Sequence, residues 1–301
     1  MEIIMAEKMG FCFGVRRTVE IAMKIIENKE QNVITYGPII HNEDLTNYLK
    51  QNGIGYVLNV DDVDERKAEK VIIRTHGAKR EVIENLKEKG VKVIDGTCPY
   101  VMRVHRIVEK LSKDGYPILI VGNKDHPEII GVTGYISNVP YFIVKDVEEL
   151  EELRKQGKFD KIKKIGVVTQ TTEKIEKVRK VVNYLMDFIP EVRYFKTICY
   201  ATDENQNAIH KLAPSVDVVI VIGGKHSSNT IKLYEIAKSY CPRTYHIQNE
   251  KDLKIEWFNI NDKVGITAGA STPDWIIQNV VNKIKEFERI LERGEIYEKR
   301  S

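Results

Sequence analysis

A chain of 301 residues, 42% hydrophobic and 30% charged, has the composition of a soluble globular protein and is long enough for two or three domains. Its net charge is only +3 and its basic residues are interleaved with acids, the densest basic run being Lys161 to Lys164, so composition gives no nucleic-acid footprint. No apolar run approaches the roughly 20 residues of a membrane-spanning helix, and the opening residues lack the basic-then-apolar order of a signal peptide. These features predict a cytoplasmic protein without a membrane partner. In that reducing compartment, four widely spaced cysteines point to metal binding or catalysis rather than disulfides.

In chain order, short apolar runs predict strands at 2–6, 32–36, 54–58, 70–74, 91–95, 117–122, 141–144, 164–169, 192–196, 216–222, 243–247 and 263–267. Segments of helical period lie between most of them, at 15–28, 43–51, 79–89, 99–113, 128–136, 146–155, 173–187, 203–212, 228–239 and 273–291. Such alternation implies βαβ units and mostly parallel sheets, an α/β fold. Ile118-Leu119-Ile120-Val121 and Val218-Val219-Ile220-Val221-Ile222 are continuous apolar runs, as strands covered on both faces should be.

Aligning the strand ends exposes a period near one hundred residues. Cys12, Cys98 and Cys199 each follow a predicted strand and precede a helical segment, at separations of 86 and 101. A histidine then follows a strand 29, 28 and 27 residues later, at His41, His126 and His226. Each repeat closes on a small polar cluster: Arg74-Thr75-His76-Gly77, Thr169-Gln170-Thr171-Thr172, and Thr267-Ala268-Gly269-Ala270-Ser271-Thr272. The expected domains are 1–95, 96–191 and 192–284, followed by a charged tail, 285–301, that extends the last helix and then either frays or docks on a neighbouring domain. Arranged about a pseudo-threefold axis, three such domains would bring all these loops to one centre.

Three thiolates from three domains suit a soft metal or an iron–sulfur cluster, whereas a structural zinc would more typically use a C-x2-C pair, which is missing from the sequence. A cubane cluster held by three thiolates leaves one iron open to a substrate oxygen. Cys241 has no counterpart in the other repeats and is expected to be a core or surface thiol, and His105, His210 and His246 are expected to be structural. His41, His76, His126 and His226, with Thr171, Ser227, Ser228, Asn229 and Ser271 near helix amino ends, make a suitable seat for phosphate or diphosphate. Glu128 is the carboxylate of these clusters that could relay protons.

Three familiar motifs fail. Val219 stands where a phosphate loop needs its first Gly, and His226 stands where it needs Ser or Thr. His126-Pro127-Glu128 lacks the Pro-Cys-x-x-Cys of zinc deaminases, and Gly10-Phe11-Cys12-Phe13-Gly14 is not a dinucleotide fingerprint.

The ordered motifs Gly10-Phe11-Cys12-Phe13-Gly14-Val15, Tyr36-Gly37-Pro38-Ile39-Ile40-His41-Asn42, Arg74-Thr75-His76-Gly77, Asp95-Gly96-Thr97-Cys98-Pro99, His126-Pro127-Glu128, Val168-Thr169-Gln170-Thr171-Thr172, Ile198-Cys199-Tyr200-Ala201-Thr202, Ser227-Ser228-Asn229-Thr230 and Gly269-Ala270-Ser271-Thr272-Pro273 resemble the LytB family of 4-hydroxy-3-methylbut-2-enyl diphosphate reductases. The likeness runs from Met1 to about Asn282. It implies a trefoil of three α/β domains around a central iron–sulfur cluster, a [4Fe-4S] cluster with three cysteine ligands and one open iron. It also implies that Cys12, Cys98 and Cys199 are those ligands. The diphosphate would be held by His41, His76, His126, Ser227, Asn229 and Ser271, with Ser228 close by, and Glu128 with Thr171 would deliver protons. The implied reaction is reductive dehydroxylation to isopentenyl and dimethylallyl diphosphates, the last step of the methylerythritol phosphate route. The chain has no flavin or nicotinamide motif, so electrons would come from a ferredoxin or flavodoxin. Two competing readings are a hydro-lyase that uses the cluster only as a Lewis acid, and a diphosphate sensor with a redox-responsive cluster.

Overall fold

The structure is a computed structural model, and it describes residues 1–64 and 67–294. All twelve predicted strands and ten predicted helices are present, with ends shifted by a few residues. The strands are β1 (Glu2–Met5), β2 (Val33–Tyr36), β3 (Gly55–Val57), β4 (Lys70–Ile73), β5 (Lys92–Asp95), β6 (Ile118–Val121), β7 (Tyr141–Val144), β8 (Lys164–Thr169), β9 (Glu191–Tyr194), β10 (Val218–Ile222), β11 (Thr244–Ile247) and β12 (Lys263–Ala268). The helices are α1 (Phe13–Glu27), α2 (Glu43–Gln51), α3 (Arg80–Glu88), α4 (Pro99–Lys113), α5 (Pro127–Thr133), α6 (Val147–Lys155), α7 (Ile175–Met186), α8 (Tyr200–Leu212), α9 (Ser228–Tyr240) and α10 (Asp274–Glu292). Among the described residues no helix is long and apolar enough to cross a membrane.

Three four-stranded parallel sheets result, and all have the same plan. Their orders are β3-β2-β4-β5, β7-β6-β8-β9 and β11-β10-β12-β1. The fourth place of the third sheet is thus taken by the first strand of the chain, with Ile3 paired to Val264 and Met5 to Ile266. This departs from the consecutive segments 1–95, 96–191 and 192–284 at two joints: β1 belongs with β12, and β9, which spans the boundary at 191, pairs with β8. Likewise α10 runs without a break through 284, so the charged stretch continues the helix to Glu292, and the rest of the expected tail, 295–301, lies outside the described residues. The central strands are apolar on both faces, and β6 and β10 are fully buried along their length.

The chain gathers into two compact units, one of Met1–Phe13, His41–Leu45 and the residues from Tyr200 on, the other of Gly14–Ile40 and Thr46–Cys199. The first unit contains the sheet closed by β1. Its two apolar layers place Ile276, Val280 and Ile284 of α10 on one face, and Ile209 and Leu212 of α8 with Leu233 of α9 on the other. The second unit holds the other two sheets. There α4 leaves β5 of one sheet and buries Val104, Val108 and Leu111 against Ile118, Ile120 and Val168 of the other. These side chains are four or three residues apart on α4, so one stripe of the helix covers the sheet. The helix that carries a cysteine at its start is therefore also the link between one sheet and the next.

Candidate active site

One hydrogen bond recurs in all three sheets and fixes the position of each thiol. The N–H of Cys98 donates to the carbonyl of Thr75 at 2.9 Å, that of Cys199 to Thr171 at 2.9 Å, and that of Cys12 to Ala270 at 3.3 Å. Each acceptor lies two residues beyond the end of the neighbouring strand, β4, β8 or β12. Cys98 caps α4 with Pro99 at the first helical position, where a missing N–H costs nothing, and Cys199 directly precedes α8. The positive end of a helix dipole at such a place favours negative charge on sulfur. Cys12, Cys98 and Cys199 are partly exposed thiols, whereas Cys241 is buried and donates to the Asp217 carbonyl at 3.3 Å, a core position as expected.

In the second unit, His126 caps α5 with its side chain, Nδ1 accepting the Glu128 N–H at 3.2 Å. With Nδ1 used as an acceptor, the neutral ring carries its hydrogen on Nε2. Glu128, only 2% exposed, is held at both oxygens by one residue: Oε1 accepts the Thr171 N–H and Oε2 the Thr171 hydroxyl, each at 2.7 Å. A buried carboxylate requires such donors, and the first turn of a helix adds a favourable dipole. The His76 ring meets that of His126 edge to face, with centroids 5.4 Å apart. These four residues lie together through those contacts.

Gln170 is a contributor the sequence did not single out. Its side-chain oxygen accepts the Asn123 N–H at 3.1 Å and its amide donates to Thr172 Oγ1 at 3.0 Å, so it ties the loop before His126 to the loop carrying Thr171. Its place inside the Thr169-Gln170-Thr171-Thr172 cluster was the available signal.

His105 backs the His76 loop. It is 5% exposed, stacks on Tyr135 with centroids 4.0 Å apart, and lies so close to Gly77 that a Cβ there would sit 3.0 Å from its Cε1. Gly77 adopts φ +77°, which suits glycine, and a Cβ there would crowd His105 and Thr97. Burial lowers the His105 pKa from 6.5 to about 4. Below pH 6.5 the unfolded chain takes up a proton that the folded one refuses, so this histidine favours folding above 6.5 and progressively less towards pH 4. The slope, about 3 kcal/mol over that interval at most, should shrink in His105→Phe when unfolding is followed from pH 7 to 4.

In the first unit, Ser227 caps α9, its Oγ accepting the Thr230 N–H, and Ser271 Oγ stands 3.5 Å from Ser227 Oγ. Asn229 is 4% exposed, and among the described residues neither its Oδ1 nor its Nδ2 meets a hydrogen-bond partner. A buried amide with both ends unsatisfied is costly and rare, and a polar ligand would supply what is missing. Asn42 caps α2 by accepting the Leu45 N–H at 2.9 Å, next to His41. The 223–227 loop runs against His41, since a Cβ on Gly224 would lie 2.2 Å from the His41 carbonyl oxygen.

Here the third histidine of the sequence repeat needs correction. Gly37, Gly122 and Gly223 are equivalent, each donating its N–H to the last residue of the adjacent strand, Val57, Val144 or Ile247. Counting from them, the helix cap in the third sheet is Ser227, which is buried, while His226 is exposed one residue earlier. The hydroxyl, not the imidazole, takes the place that His126 has in its own sheet.

Three copies of one parallel-sheet unit, each with a thiol just before a helix and polar side chains beside it, define an α/β protein with three equivalent cysteine loops. The sequence profile of the LytB protein family matches residues 3–285, and the chain belongs to that family. LytB proteins are iron–sulfur-dependent. The chain is 46% identical to the 4-hydroxy-3-methylbut-2-enyl diphosphate reductase of Nautilia profundicola, over 95% of this chain and 100% of that protein. It is 44% identical to the enzyme of the same name from Aquifex aeolicus, over 95% and 97%. A solved structure of (E)-4-hydroxy-3-methyl-but-2-enyl diphosphate reductase, described as the terminal enzyme of the non-mevalonate pathway, is 44% identical with a TM-score of 0.69, covering 95% of this chain and all of that one. The corresponding reductase structure from Plasmodium falciparum is 28% identical with a TM-score of 0.85, covering 95% and 89%.

Proposed function

We propose that this protein reductively dehydroxylates 4-hydroxy-3-methylbut-2-enyl diphosphate. Two electrons and two protons remove the hydroxyl as water and leave isopentenyl and dimethylallyl diphosphates, the last step of the methylerythritol phosphate route. The observation that carries the protein's part in this chemistry is the Glu128–Thr171 pair, a buried carboxylate bonded at both oxygens beside a histidine whose Nε2 is the donor.

The ligands would be Cys12, Cys98 and Cys199, of a [4Fe-4S] cluster with one iron left without a protein ligand. The donor set fits such a group: a Cβ on Gly14 would lie 2.4 Å from Cys98 Sγ, so the chain keeps the space beside this sulfur clear of side chains. When bound, the cluster supplies electrons one at a time and a Lewis-acidic iron for an oxygen ligand. The trefoil arrangement of the three sheets around it is part of the same reading, as is a cytoplasmic setting that keeps the thiols reduced.

The diphosphate would be bound by His41, His76, His126, Ser227, Asn229 and Ser271, with Ser228 at the start of α9 near it. Nε2 of His126 and the amide of Asn229 are donors suited to phosphate oxygens, and the amino end of α9 adds its dipole. Glu128, once protonated, would donate to the Thr171 oxygen while the Thr171 hydroxyl gives its own hydrogen to the departing oxygen, reversing the 2.7 Å hydrogen bond that Thr171 donates to the carboxylate at rest. Electrons would arrive from a ferredoxin or flavodoxin.

The test is turnover by anaerobically reconstituted protein with a strong reductant. Isopentenyl and dimethylallyl diphosphates should form only when reductant is present. Turnover without reductant would favour a hydro-lyase, and tight substrate binding without product would favour a sensor.

A further inference from the structure

The cysteine loop Asp95-Gly96-Thr97-Cys98 is clamped from one helix. Arg17 of α1 donates from Nη2 to the Asp95 carbonyl at 3.2 Å and from Nη1 to the Thr97 carbonyl at 3.4 Å. One residue along α1, the Thr18 hydroxyl donates to the Gly96 carbonyl at 2.6 Å. Inside the loop, the Thr97 N–H is bound to Asp95 Oδ1 at 2.9 Å. Three successive carbonyls before the thiol are thus held by two adjacent side chains. The packing around the loop leaves room only for glycine at 96, because a Cβ there would lie 2.3 Å from the Ile73 carbonyl and 2.6 Å from Thr18 Cγ2.

Arg17 differs from Thr18 in bringing a charge. Among the described residues no carboxylate forms an ion pair with it, and the nearby Asp95 carboxylate is turned to the Thr97 N–H. The helix that carries Arg17 begins one residue after Cys12, and its third residue is Val15, after the Gly14 that leaves space at Cys98 Sγ. A single guanidinium therefore fixes the main chain that ends in one thiol from the helix that starts at another.

We propose that Arg17 is a positioning residue for the cluster: its fork locks the Cys98 corner, and its unneutralised charge stabilises the reduced, more negative state of the group that corner holds. This rests on the cluster reading given above. The two halves of the role separate by substitution, since Arg17→Lys keeps the charge but cannot span two carbonyls, and Arg17→Met keeps neither.

The experiment uses full-length protein and reads hydrogen exchange over 93–101 together with the midpoint potential of the anaerobically reconstituted cluster. In Arg17→Met the Thr97 and Cys98 amides should exchange about tenfold faster, with the Cys199 amide unchanged. Its cluster should lose iron to a chelator roughly 10–100-fold faster, and its midpoint potential should move to a more negative value. Arg17→Lys should restore the potential and leave the exchange fast. Unchanged exchange and potential in Arg17→Met would overturn the proposal, as would faster exchange in all segments together, which marks general loosening. Faster exchange at the loop with an unchanged potential and iron retention would reduce Arg17 to a structural residue and also overturn it. Wild-type protein that takes up no iron on reconstitution would instead defeat the cluster reading, and the exchange arm would still decide whether the clamp exists.

Discussion

Glu128→Gln should bind the diphosphate as the wild type does and lose turnover by a factor of about 10² to 10⁴, the range associated with a positioned proton donor. The carboxyl has both oxygens committed to Thr171, through the N–H and the hydroxyl, each at 2.7 Å. An amide of the same size keeps one acceptor but turns an NH2 towards one of these two partners. It also has no proton to give at neutral pH. The backbone would be little disturbed, because the Glu128 N–H bond to His126 Nδ1 does not involve the side chain. Substrate or inorganic diphosphate binding by calorimetry, set beside kcat under reducing conditions, separates the two effects. Unchanged turnover would remove Glu128 from the proton path, and lost binding would make it part of the anion seat.

Cys98→Ser should lose cluster iron and activity together. Its main-chain bond to the Thr75 carbonyl and its place as the cap of α4 do not need sulfur, so the iron-free variant should unfold at the same temperature as the iron-free wild type. The loss of iron should exceed the roughly 10–100-fold that removal of an outer-shell partner costs a metal site. Cys241→Ser provides the control, since that thiol is buried and bonded to the Asp217 carbonyl, and iron content should be unchanged there. A Cys98→Ser protein that retained iron and turnover would contradict the assignment.

The elements of this fold were legible because strand and helix leave different periods in the sequence, and here the two alternate with little interruption. The continuous runs at 118–121 and 218–222 correctly announced strands covered on both faces. What could not be read was pairing between distant segments. Nothing local in Glu2-Ile3-Ile4-Met5 says that its partner is β12, some 260 residues on, so the closing of the third sheet by the first strand is set by the tertiary fold alone. The same limit explains Arg17, whose targets lie 78 and 80 positions away.

Spacing located the cysteines but misassigned one member of the second set. The interval from cysteine to histidine shortens from 29 to 28 to 27, and the shortest of them places His226 one residue ahead of the cap. A difference of one residue in a loop moves a side chain from a buried turn to solvent, and only the hydrogen bonds of Gly37, Gly122 and Gly223 set the register. Glu128 and Thr171, in contrast, were named from sequence and do meet, because each sits within three residues of a strand end or a helix start whose position the pattern fixed well.

The central claim, that this chain's thiols hold a cluster that works on the bound substrate, is tested most directly by the electron paramagnetic resonance spectrum of the anaerobically reconstituted, reduced protein with and without substrate. The account predicts an iron–sulfur signal that changes in shape when substrate is added and that is lost in Cys98→Ser. A reduced protein with no such signal, or with one that substrate leaves untouched, would contradict it.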